Sequence, residues 1–153
     1  MKLLFIREDK AMNINSLDRF LEAQEHAYAI ALEEIKNGMK ISHWIWFIFP
    51  QLRGLGRSDM AYKYGINGIE EAKEYLAHPV LSARLTEISE ALLVHKNKDI
   101  EYIMGGIDAM KLRSSMTLFA LVSEENSVFH KVLDCFYDGE MDDYTKKTYK
   151  VIF

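Results

Sequence analysis

Leu17, Phe20, Leu21, Tyr28, Ala31, Leu32 and Ile35 recur at the three- and four-residue spacing of a single helix face. Glu22, Glu25, Glu33, Glu34 and Lys36 fall mostly opposite, so the expected helix buries one side only. Ser16 is placed to cap its free amides and Gly38 to close its far end. Gln24 interrupts the apolar stripe, and a buried amide needs partners; either backbone or a cavity supplies them, and backbone is expected. A second helix is expected after His78, with Pro79 in the first position and Leu81, Leu85, Ile88 and Leu92 as its stripe. Between the two, Ser58 to Tyr64 reads as a short helix stopped by Gly65. Ile69 to Ala77 reads as another, with Glu70, Glu71 and Glu74 on its surface.

The remainder follows the same grammar. Asp99 to Met104 is a turn or short helix ended by Gly105 and Gly106. Asp108 is then expected to cap a helix reaching Val122 with Leu112, Met116 and Phe119 as its stripe. Ser127 to Tyr137 and Asp143 to Ile152 close the chain, separated by Asp138-Gly139-Glu140. No period of 20 to 50 residues repeats, and with two prolines, eight glycines and no Ser/Gly linker nothing divides the 153 residues. The expected fold is mainly α: a single compact multi-helix domain over residues 16–153, preceded by a lead-in segment, residues 1–15. Met12 is the expected start.

Composition narrows the classes. The longest apolar run, Trp44 to Phe49, is far short of the ~20 residues that span a bilayer. Leu3 to Ile6 is too short for a signal-peptide core, so no membrane association is expected. The single cysteine, Cys135, excludes an internal disulfide and any Cys-based zinc site, and fits a reducing, cytoplasmic compartment. His26, His43, His78, His95 and His130 are not at ligand spacing, so neither metal nor other cofactor is expected. The net charge of −4, without a basic run, argues against general nucleic-acid binding.

Charge is unevenly spread, however. Residues 36 to 63 carry Lys36, Lys40, Arg53, Arg57 and Lys63 against Asp59 alone. Within that window Arg53-Gly54-Leu55-Gly56-Arg57-Ser58 sets two glycines between two guanidinium groups, directly before an expected helix start. Such a turn suits phosphate or carboxylate, because backbone amides approach closely and Arg grips an oxyanion through two hydrogen bonds. Equally, it is a solvated turn capped by Ser58. Asp59 occupies the place of the third glycine of a dinucleotide fingerprint, so no Rossmann or phosphate-loop protein is implied. Upstream, His43-Trp44-Ile45-Trp46-Phe47-Ile48-Phe49-Pro50-Gln51 uses both tryptophans. Most of this segment should be core, while Trp44 or Trp46 can line a pocket that His43 and Gln51 border. On the Asp108 helix, Asp108, Lys111, Ser114 and Ser115 border the buried stripe. Asp108 is there either an N-cap and partner of Lys111 or, with it, an acid/base pair whose neighbours Ser114 and Ser115 donate hydrogen bonds.

Taken together, Leu17-Asp18-Arg19-Phe20, Ala23-Gln24, the His43 to Gln51 run, Gly54-Leu55-Gly56, Glu71-Ala72, His78 to Leu85 and Asp108 to Phe119 make the chain resemble the bacterial domain-of-unknown-function family numbered eighteen-ten. The resemblance runs from about Leu17 to the end. It implies a small, mainly helical protein and no particular reaction. Some members of that family carry the label calpastatin, which misleads, because those inhibitors are disordered repeat proteins and this chain has an aromatic core without repeats. A fainter likeness, to helical N-glycosidases acting on ADP-ribose-type nucleotides, rests only on arginines, aromatics and an acidic residue.

Two functions are expected to compete. In the first, a pocket binds a small anionic metabolite, a nucleotide or sugar phosphate: Arg53 and Arg57 hold the anion, Trp44 and Trp46 stack, Ser58 offers a hydroxyl, and Asp108 with Lys111 serves glycosidic cleavage. In the second, an aromatic surface makes the protein a non-catalytic interaction module or homodimer. Convergence of Arg57, Trp46 and Lys111 on one concavity would favour the first, an exposed aromatic patch the second.

Overall fold

A computed structural model describes residues 16–152, of which the helices are α1 (Asp18–Lys36), α2 (Ile45–Ile48), α3 (Asp59–Lys63), α4 (Gly68–Ala77), α5 (Pro79–Leu93), α6 (Ile100–Met104), α7 (Gly106–Leu121), α8 (Val128–Tyr137) and α9 (Asp143–Ile152). The lead-in segment expected at residues 1–15 lies outside the described residues. Among the described residues there is no strand beyond an isolated parallel bridge between Leu52 and Ile66, and no helix is long and apolar enough to cross a membrane.

Several helix ends form where local chemistry dictates. Ser58 Oγ accepts from the Ala61 amide to open α3, Asp99 opens α6 and Ser127 opens α8. His78 goes further than expected, since its Nδ1 accepts from the amides of both Val80 and Leu81 while Pro79 occupies the first turn of α5. At the other end of α1, Gly38 adopts φ +80° and donates to Ile35 O, with His95 Nε2 bonded to the same carbonyl at 2.7 Å.

α7 is the central element. From Leu112 to Ala120 every side chain but that of Arg113 is buried, and the helix packs against α8, α6, α9, α4 and α2. A helix segment buried on nearly all sides belongs inside the domain, while its first two turns keep a strip facing solvent. α1 lies on α5 and α2, and α5 bridges to α8, enclosing one core in which Phe20, Trp44, Phe49, Tyr75 and Phe119 are fully buried. Each such ring removes roughly 200 Å² from water, worth about 5 kcal/mol of gross transfer free energy before entropy is counted.

Two buried polar knots tie the chain across long separations. Arg19 on α1 makes a two-pronged ion pair with Glu71 on α4 (2.7 and 3.0 Å) and donates to the carbonyls of Ser16, Lys63 and Gly65. Glu71 is 6% exposed, so it is not the surface residue the helical pattern suggests; its partner stands far away in sequence. Gln24 donates to Phe47 O at 2.8 Å and to Tyr75 Oη, the backbone solution to its burial. Glu34 gathers a third, more local set of partners, described below.

Candidate functional site

The Leu52–Ile66 bridge folds residues 51–66 into a closed loop, with Arg53 N donating to Ile66 O and Ile66 N to Gln51 O. Gly65 permits that closure, because a Cβ there would lie 2.7 Å from Arg53 Cα. The loop presents Gln51, Leu55 and Gly56 to the solvent-facing strip of α7. On α7, Ile107, Met110, Lys111 and Ser114 follow one another at three- and four-residue steps and therefore share a face. Loop and helix enclose a hollow of about 210 Å³, to which Arg113 and, from the start of α9, Asp142 also contribute.

Gln51 is 8% exposed, yet its side-chain amide makes no hydrogen bond among the described residues. Its Nε2 stands beside Gly56, where a Cβ would sit 3.5 Å from that nitrogen and only 2.5 Å from Ala61 Cβ. Glycine at 56 thus lets the turn pack directly against Ala61 of α3. Lys111 is positioned by Trp46, its ammonium lying 5.2 Å from the indole centroid, a cation–π contact. Arg113 buries an Nε that has no partner among the described residues, and so does Trp46 its indole nitrogen. Ser114 donates its hydroxyl to Met110 O at 3.2 Å, leaving its oxygen as an acceptor only. Asp142 Oδ2 accepts from the amide and hydroxyl of Thr145 (3.0 and 2.7 Å), capping α9.

Of the side chains singled out from sequence, Gln51, Lys111 and Ser114 meet in this hollow, and Trp46 adjoins it beneath Lys111. The others lie elsewhere. Trp44 is 1% exposed, and its indole donates to Glu34 Oε1 at 2.9 Å, so it belongs to the core and walls no pocket. Arg53 donates to Tyr62 O and stacks on the Tyr62 ring at 4.8 Å. Arg57 and His43 are exposed, and Ser58 is engaged as the α3 cap. Ser115 is wholly buried away from the hollow, its hydroxyl without a partner among the described residues.

Asp108 also departs from expectation. Gly105, at φ +85°, is the residue preceding α7, so the helix starts at Gly106 and Asp108 falls within its first turn instead of capping it. Its carboxylate pairs with Lys40 at 2.7 Å rather than with Lys111, pinning the segment after α1 to α7. Lys40 donates as well to Ser42 O. Arg113 and Asp142 escaped the sequence reading. Arg113 carried a signal, since it is the one charged residue between Leu112 and Ala120 in a stretch otherwise apolar or hydroxylic. Asp142 carried a weaker one, as an Asp preceding a helix start.

Glu34, on the other side of the aromatic run, gathers donors from the amides of Ile41 (2.8 Å) and Ser42 (2.9 Å), the Ser42 hydroxyl and the Trp44 indole. Burial alone would push its pKa up. Those hydrogen bonds, the Ser42 hydroxyl foremost, outweigh burial and hold it at about 2.

Comparison with known proteins places the chain in a family. Residues 14–149 match the family described as "Protein of unknown function (DUF1810)". The chain belongs to that family. Its fold is also similar to the crystal structure of the conserved hypothetical protein Rv1873 from Mycobacterium tuberculosis, with 44% identity, a TM-score of 0.84, and coverage of 87% of this chain and 95% of that one. Comparison with curated proteins gives no match.

Proposed function

We propose that the protein binds a small organic anion in the hollow between the Gln51–Gly56 turn and α7, held by Lys111 and Arg113. The observation that carries this reading is the gathering, around one hollow, of Lys111 and Arg113, which form no ion pair among the described residues, with Gln51, whose side-chain amide makes no hydrogen bond among them. Buried polar groups normally find partners within the protein or in water, so such a cluster suits an exogenous ligand. The volume of about 210 Å³ lies below the roughly 300–1,000 Å³ typical of pockets for drug-sized ligands, which favours a compact anion over an enclosed nucleotide. Glycosidic cleavage is not part of this reading, because Asp108 is committed to Lys40 while Lys111 lies over Trp46.

A thermal-shift series with small carboxylates and phosphate monoesters tests it. A ligand at about 100 times its Kd adds about 2.7 kcal/mol, or at least about 5 °C in a protein of this size. The shift should vanish in Lys111→Ala/Arg113→Ala and persist in Arg57→Ala. The reverse result, or no shift across the series, would overturn the reading.

A second reading draws on Ile107 and Met110, which stand 74% and 65% exposed at the rim. Their apolar surface favours contact with another protein or a second copy of the chain. Concentration-dependent mass in sedimentation, lost in Met110→Glu, would support it; a monomer at all concentrations would exclude the homodimer.

A further inference from the structure

Resting on the anion-binding reading above, we propose that the ligand is a zwitterion, specifically a free α-amino acid with an apolar side chain. The reason is Asp142. Asp142 lines the hollow with Lys111 and Arg113, yet among the described residues its carboxylate forms an ion pair with neither. Opposite charges within one small concavity normally close on each other unless something fixes them apart. Here each is fixed. Oδ2 of Asp142 is held by the amide and hydroxyl of the buried Thr145, and its backbone N–H donates to Thr117 Oγ1 on α7 at 2.9 Å. Lys111 is held over the Trp46 ring at 5.2 Å, and Arg113 has its Nε buried.

A simple anion would gain from the two cations and be repelled by the carboxylate. An α-amino acid carries carboxylate and ammonium on a single carbon, so it satisfies both poles at once. The carboxylate goes to Lys111 and Arg113, and the ammonium to Oδ1 of Asp142, which accepts no hydrogen bond among the described residues. Gln51 offers an N–H and a carbonyl oxygen and therefore serves either pole. The apolar lining completes the match: Leu55, Ile107 and Met110 border the polar floor and would cover an aliphatic side chain of the ligand. A peptide, whose two charged ends lie far apart, cannot place both in a hollow of about 210 Å³.

Titration calorimetry on the full chain distinguishes the outcomes, using L-leucine, 4-methylpentanoate, which lacks the ammonium, and L-leucinamide, which lacks the carboxylate. L-leucine should bind about tenfold tighter than 4-methylpentanoate, as one charge-assisted hydrogen bond implies, with L-leucinamide weakest. Asp142→Asn keeps a good helix cap, and should lower leucine affinity to that of 4-methylpentanoate without weakening the latter. Equal wild-type affinities, or tighter binding of 4-methylpentanoate, would overturn the zwitterion while leaving the anion reading intact. No binding by any of the three, together with no thermal shift in the anion series, would remove both.

Discussion

Two polar clusters flank the aromatic run of residues 44–49, and they are built in opposite ways. On the N-terminal side Glu34 receives four hydrogen bonds, one from the Trp44 indole, and holds the turn after α1. On the C-terminal side the Gln51 side chain receives none among the described residues, while Lys111, Arg113 and Asp142 line its hollow without an ion pair among them. A buried polar atom left without a partner, as Arg113 Nε is among the described residues, costs about 1–3 kcal/mol, so the second cluster weakens the fold that the first secures. The contrast teaches which polar residues serve architecture and which remain available to a ligand.

The comparison breaks most severely at the satisfied knots. Arg19→Met should cost about 3–5 kcal/mol in chemical denaturation, because Glu71 is left charged and buried without its cationic partner, keeping the Asn67 amide as a donor. An effect below about 1 kcal/mol would mean that the pair is dispensable. Glu34→Gln should cost about 2–3 kcal/mol at neutral pH by replacing a charged acceptor with an amide that fits fewer of the four donors. The same residue sets a pH signature. Its pKa is about 2 in the fold against an ordinary 4.5, so its contribution is complete above pH 4.5 and lost as pH falls toward 2. That span is worth about 3 kcal/mol, and Glu34→Gln should flatten the acid limb of stability by that amount.

The hollow should behave differently. Arg113→Met removes a buried, unpartnered nitrogen and is expected to leave stability within about 1 kcal/mol of the parent or to raise it, while abolishing anion-induced thermal shifts. A loss of several kcal/mol would move Arg113 into the architectural class. Smallest of all, Arg57→Ala should stay within about 0.5 kcal/mol and leave binding unaltered, as befits an exposed side chain outside the hollow.

Helix positions and several caps were legible from local sequence because their causes are local. Ser58, His78-Pro79, Asp99 and Ser127 act within a turn of themselves. What escaped was long-range pairing. Glu71 reads as a surface residue until Arg19 is brought to it from α1, and Trp44 reads as a pocket wall until Glu34 takes its indole proton. Asp108 looked like a cap because it precedes a stripe, yet Gly105 with its positive φ lets α7 begin at Gly106. The Arg53–Ser58 turn drew attention through charge and glycine, but Gly56 serves the close packing of the turn on Ala61, and the cations that line the hollow come from α7. Arg113 and Asp142 join it from positions that only folding makes neighbours.

The most direct test follows side-chain resonances during titration with L-leucine and 4-methylpentanoate. The Gln51 amide and the Arg113 Nε–H should shift saturably, while the Trp44 indole N–H and the Gln24 amide, already bonded within the core, stay in place. Unmoved Gln51 and Arg113 signals, or shifts confined to Arg53 and Arg57, would contradict the account.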